Sequence, residues 1–145
     1  MRKRWTLMHG IARTRCAWND YVREITLAEG IPDSYRPVIM FLQRNPGSSQ
    51  KSISDFVGVT TSAINQVVKS MLEEGYLYKE SDPSDKRSRR LYLTEKGTDM
   101  ARRLRQRLDE ADDAITEFVG AEHEQELMNF LHGLTDFIRG ELKQC

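Results

Sequence analysis

The feature that most constrains this chain is a change of hydrophobic period at Gly75. Ahead of it, apolar residues recur every three or four positions, the spacing of a helix face. Beyond it, Tyr76 to Lys79 and Arg90 to Leu93 alternate as strands do, and Ser81-Asp82-Pro83-Ser84-Asp85 between them is turn chemistry. From Thr94 the helical period returns. A small β-hairpin set among helices follows, so the expected fold is mainly α with the element order α-α-α-α-β-β-α-α.

The helices are punctuated by their own stop and start signals. Met8, Ile11, Trp18, Val22 and Ile25 give a first stripe from Trp5 to about Ala28, interrupted at Arg15. Gly30 and Pro32 end it, and Ser34 or Asp33 can cap a second helix that tolerates Pro37 in its first turn. Asn45-Pro46-Gly47 stops that helix near Arg44. Ser48 or Ser49 starts a short third helix ending at Gly58, and Thr60 or Thr61 caps a fourth whose apolar stripe is Ile64, Val67, Val68, Met71 and Leu72. After the hairpin, Met100, Leu104, Leu108, Ala111, Ile115 and Phe118 form one stripe. Following a break at Gly120-Ala121, a last helix from Glu122 to Leu142 carries Leu127, Phe130, Leu131, Leu134, Phe137 and Ile138 on one face.

The longest uninterrupted apolar run, Val38 to Leu42, is far short of the roughly 20 residues of a membrane span. The basic start, Arg2, Lys3 and Arg4, is followed by an apolar stretch broken by His9, Gly10 and Arg13, unlike a secretory signal. A cytoplasmic protein without a membrane partner is the expectation. Cys16 and Cys145 lack metal-type spacing, and His9, His123 and His132 form no ligand set with neighbouring acids, so neither a metal nor a cofactor is expected.

A formal net charge of zero would argue against a polyanionic partner, but the zero is a cancellation. Residues 1–20 carry a balance of +4, residues 21–79 are neutral, residues 80–97 carry +1 and residues 98–145 carry −5. The +1 conceals Lys86, Arg87, Arg89 and Arg90, four cations within five positions. Arginine suits minor-groove entry and phosphate clamping through its planar, weakly hydrated fork. Ahead of that knot, two helices joined by a tight turn at Gly58 leave Thr60, Thr61, Ser62, Asn65, Gln66 and Lys69 on the side opposite the apolar stripe. Asn and Gln can bond adenine bidentately, hydroxyls reach bases or phosphates, and a helix N-terminus favours a phosphate.

Ile53-Ser54-Asp55-Phe56-Val57-Gly58-Val59, Ser62 to Met71 running into Glu74-Gly75-Tyr76-Leu77, and Asp82-Pro83-Ser84-Asp85-Lys86-Arg87 followed by Leu91-Tyr92-Leu93-Thr94-Glu95-Lys96-Gly97 together resemble the MarR-type winged helix-turn-helix regulators. The resemblance implies an N-terminal dimerisation helix over 1–30, a DNA-binding domain over 31–97 and C-terminal dimerisation helices over 98–145. It implies that the fourth helix reads the major groove through Ser62, Asn65, Gln66 and Lys69, and that Asp85 braces a wing whose Arg87 enters the minor groove. It further implies a homodimer, and two copies of the motif read two half-sites about 10 base pairs apart on a near-palindromic duplex. The function expected is a sequence-specific regulator, a repressor, released by a small-molecule effector.

A small aromatic effector near Trp18, Tyr35 and Arg36 is one expectation. Oxidant sensing by Cys16, with Arg13 and Arg15 as neighbouring cations, is an alternative. A winged helix serving as a protein-interaction module is another, although it would not need Arg87, Arg89 and Arg90 beside Asn65 and Gln66. An enzyme is not expected, for no Gly-rich phosphate loop, nucleophile signature or paired histidine motif occurs.

Overall fold

The computed structural model describes residues 6–85 and 89–142. It divides into two compact units, residues 1–106 and 107–145. The order is α1 (Leu7–Ala28), α2 (Arg36–Arg44), α3 (Gln50–Val57), α4 (Thr61–Glu73), β1 (Leu77–Ser81), β2 (Arg89–Leu93), α5 (Glu95–Val119) and α6 (Ala121–Gly140). This is the expected mainly α fold with a hairpin.

The core of the first unit gathers Ile31, Val38, Ile39, Leu42, Ile53, Ile64, Val68, Met71, Leu91 and Ala101, all nearly or fully buried. All but Ile31, which lies in the link between α1 and α2, come from the apolar side of a helix or strand, so burial of these faces against one another is the driving term. Thr26 is buried too, and its hydroxyl donates to the Val22 carbonyl at 2.6 Å, leaving no unpaired polar atom.

Two helix ends set the chain direction. At α1 the Gly30 and Ile31 amides donate to the Leu27 and Thr26 carbonyls, and at α4 the Gly75 and Tyr76 amides donate to Leu72 and Met71. Both are Schellman closures, with the glycine at φ 74° and 75°. The second closure delivers the chain into β1. β1 and β2 pair antiparallel, Leu77 opposite Leu93 and Tyr78 opposite Tyr92, and Ser48, ahead of α3, bridges Leu91 on the other edge of β2.

Several boundaries differ from the sequence reading. α1 begins at Leu7 under a Thr6 cap, and Trp5 lies outside the described residues. α2 is preceded by Tyr35, whose backbone is already helical and makes no side-chain cap. Asp33, expected as a cap, holds the Arg36 guanidinium at 3.3 Å instead. The strands are longer, with β1 starting at Leu77 because the Tyr76 amide is spent on closing α4. α6 ends at Gly140. Val67 is half-buried rather than core. The outer stripes are not covered: Met8, Ile115, Phe118, Leu127, Phe130 and Phe137 are exposed, Phe118 to 91%.

In the second unit α5 ends at Val119, Gly120 turns at φ 86°, and α6 follows at once. No residue of α6 is buried. Among the described residues, no helix is long and apolar enough to cross a membrane.

Candidate nucleic-acid interface

The helix-turn-helix is built by caps. Ser49 caps α3, its hydroxyl accepting from the Ser52 amide at 3.1 Å, and Thr60 caps α4, accepting from the Ala63 amide at 3.2 Å. Between them Gly58 adopts φ 76°, a left-handed turn that a side chain would strain. The Ser54 and Thr61 hydroxyls meet across the turn at 3.5 Å. With Ile64, Val68 and Met71 buried, the 3.6-residue period leaves Thr61, Ser62, Asn65, Gln66 and Lys69 exposed. The expected residues therefore share one outer face. Three of them have duties already: Thr60 caps, the Thr61 hydroxyl meets Ser54, and Lys69 lies 3.9 Å from Glu73 one turn on.

The hairpin is braced by Asp82, which the sequence places in the turn. Asp82 accepts from the Ser84 amide at 2.8 Å and the Ser84 hydroxyl at 2.6 Å through one oxygen, and from the Arg90 guanidinium at 2.8 Å through the other. This is an Asx turn locked by a cross-strand charge pair. Arg90 holds the Asp82 carboxyl well below the usual carboxylate range, and Asp82 in turn raises Arg90. Arg89 donates to the Ser81 hydroxyl. Arg90 is thus in the strand as expected, and Arg89 joins it because β2 begins one residue earlier. Asp85 is exposed, and Lys86 and Arg87 lie outside the described residues.

The Leu93-Thr94-Glu95-Lys96-Gly97 segment joins the hairpin to the C-terminal end of α4. The Thr94 hydroxyl donates to the Gly75 carbonyl at 2.6 Å and accepts from the Gly97 amide at 3.1 Å. The Lys96 ammonium donates to the Glu74 carbonyl at 2.7 Å and sits 4.1 Å from the Tyr76 ring centre. The hairpin's return strand is thereby fastened to the helix that carries the polar face.

The expected effector residues have separate surroundings. Tyr35 is core: its ring meets Tyr76 edge-on at 5.9 Å, and its hydroxyl donates to the Glu74 carboxylate at 2.6 Å. Burial, then the bond to Glu74, pushes its hydroxyl pKa up. Arg36 pairs with Asp33, and Trp18 stacks on Tyr21 at 5.9 Å. Cys16 is an exposed free thiol on α1. Cys145 is outside the described residues, among which no group of three or more His, Cys, Asp or Glu could hold a metal.

A family model described as the MarR family matches residues 29–88. A putative transcriptional regulatory protein for the hcr operon of Thauera aromatica is 29% identical over 90 residues, 62% of this chain and 54% of that protein. The chain spans about half the length of the curated relatives it matches. The transcriptional repressor CouR, solved bound to a 23-mer DNA duplex, superposes with a TM-score of 0.74 at 21% identity over 90% of this chain and 92% of that one. NadR, solved in complex with 4-hydroxyphenylacetate, does so with a TM-score of 0.72 at 22% identity over 92% and 95%. The match to the MarR family covers the cap-defined helix-turn-helix together with the first strand and the turn of the hairpin, and the fold over nearly the whole chain is that of these solved structures.

Proposed function

We propose that this protein is a transcriptional regulator that binds duplex DNA sequence-specifically, α4 entering the major groove and the hairpin tip the adjacent minor groove. The observation that carries this reading is the outer face of α4, where Ser62, Asn65, Gln66 and Lys69 are all exposed while the opposite face is core. Asn65 and Gln66 would read base edges, and Lys69, Arg89 and the cations at 86 and 87 would meet phosphates or the minor groove. Asp85 and Asp82 would brace the wing.

A homodimer on a near-palindromic operator completes the reading. Exposed Phe118, Phe130 and Phe137 of the second unit favour a second copy, since large exposed apolar residues concentrated on adjoining helices mark an association surface. Repression, and release by a small-molecule effector, draw support from what CouR and NadR were solved with. A cytoplasmic setting suits such a role.

Selection of bound sequences from random duplex DNA tests the function and gives the half-site spacing together. Enrichment of a two-fold symmetric site, with half-sites about 10 base pairs apart and binding that weakens steeply as salt rises, is the expected result. No enrichment, or salt-independent binding, would sink the regulator reading. Light scattering reads the dimer directly, and Phe130→Glu with Phe137→Glu is expected to shift the mass toward one chain.

A further inference from the structure

We propose that Ala63 is a specificity-determining residue, its methyl group packing on the C5-methyl of a thymine, and that α4 selects A·T pairs through the major groove. This rests on the proposed DNA binding and names what that binding reads. Ala63 is exposed in the first turn of α4, between exposed Ser62 and buried Ile64. The Thr60 hydroxyl holds the Ala63 amide at 3.2 Å, so the cap fixes where the methyl stands. Gln66, also exposed, follows three positions on and is its neighbour along the helix surface. Val59, 44% exposed, stands immediately ahead of the cap. A helix-turn-helix presents the N-terminal residues of its second helix to base edges, so an apolar edge beside an amide is what this turn brings to them.

The residue types that α4 lacks narrow the choice further. Over Thr61–Glu73 it carries no arginine, the commonest reader of guanine, and no acid ahead of Glu73 to accept from the cytosine amino group. Its one cation, Lys69, lies beyond the first turn and 3.9 Å from Glu73. The Ser62 hydroxyl suits any pair, which leaves Asn65 and Gln66 as the discriminating polar groups. Each can hold the N6 and N7 of adenine bidentately, and both are exposed.

The amide and the methyl select the same kind of pair by different means. A guanine in the place of adenine presents O6 to a side-chain carbonyl that needs the N6 donor, so two acceptors face each other and both lose their water. Thymine alone among the four bases carries a C5-methyl, and seating it on the Ala63 methyl removes apolar surface from water on both sides. A cytosine at that position offers Ala63 nothing to cover. Wrong pairs are thus refused by the amide and unrewarded by the methyl.

The test uses the full chain and the duplex that selection returns. Deoxyuridine, which is thymidine without its methyl, replaces each thymidine of one half-site in turn. At one position the replacement should weaken wild-type binding about four-fold, the worth of one buried methyl, and should leave Ala63→Gly binding unchanged. Because two duplexes are compared on the same protein, any loss of helix stability in the variant cancels. A second arm needs no variant at Ala63. An inosine–cytosine pair shows the guanine pattern in the major groove and matches A·T in the minor groove. Put in place of the A·T pair that Gln66 reads, it should weaken wild-type binding by roughly ten-fold or more, and Gln66→Ala should bind both duplexes alike. Inosine–cytosine tolerated where G·C is refused would assign the preference to the minor groove and overturn the proposal. Deoxyuridine without effect at every position, or an effect undiminished in Ala63→Gly, would overturn it too. Half-sites selected with G·C at the positions α4 reads sink this proposal and leave the regulator reading standing, whereas failure to bind any duplex sinks both.

Discussion

Gly97, in the first turn of α5, lies so close to the Tyr76 carbonyl that no side chain could be placed between them. The helix backbone itself packs on the start of the hairpin, and the Thr94 hydroxyl fastens the same joint from the Gly75 side. Gly97→Ala must push α5 off Tyr76, and because the obstacle is backbone, little can yield. Chemical denaturation is expected to show a loss of about 3 kcal/mol. Thr94→Val, which removes a cap and a bond but adds no bulk, should cost about 1–2 kcal/mol.

The Asp82–Arg90 pair predicts an acid-insensitive hairpin. Asp82 is held below its ordinary value of 3.8, chiefly by Arg90, so its contribution is complete above that value and is lost only as pH falls through the depressed one. A carbon-13 titration of the Asp82 carboxyl should find its midpoint well below those of solvated aspartates. Duplex affinity should be flat in this respect from pH 5 upward, and Asp82→Ala should lower it by loosening the wing. A midpoint at the ordinary value would contradict the brace.

Tyr35 and Glu74 predict the opposite dependence at the alkaline end. The raised hydroxyl pKa means that the protonated folded form is favoured, so the stabilisation is present below about pH 10 and is lost as pH rises through the raised value. Tyr35→Phe is expected to cost about 1 kcal/mol at neutral pH, read by urea denaturation. That difference should shrink as pH is raised above 10.

On the face of α4, base readers and phosphate contacts should separate by their signatures. Asn65→Ala or Gln66→Ala should cost about 1–3 kcal/mol on the selected site and relax preference at one base pair. Lys69→Ala should weaken all duplexes alike and lower the salt slope by about one. Competition binding at two or more salt concentrations distinguishes them, and a Gln66→Ala protein with unaltered sequence preference would remove Gln66 from the reading set.

What the sequence disclosed depends on how local each cause is. Ile64, Val68 and Met71 announce the buried side of α4 by spacing alone, and Gly58 and Gly75 mark turns that only the neighbouring peptide groups dictate. Tyr35 shows where this stops. An aromatic residue at a helix start reads equally as ligand wall or core, and what decides is Glu74, 39 positions away. Arg90 was counted with the tip cations because linear density cannot reveal a partner across the ladder. The stripes of α5 and α6 told which faces are apolar, and the exposure of Phe118 shows that period does not say what covers a face. Ser48 reads as a possible helix start, and no signal marks its bridge to Leu91, which depends on register between distant segments.

That bridge relieves the hairpin of specifying itself. In an isolated two-stranded ribbon the turn sequence must fix the alignment, and a slip of one residue turns every side chain over. Here Ser48 holds Leu91 from outside the ribbon, and Leu91 sits at zero exposure, so a slipped alignment would forfeit both. The turn, braced by Asp82 and Arg90, thereby holds the hairpin's end while its register is set from outside the ribbon.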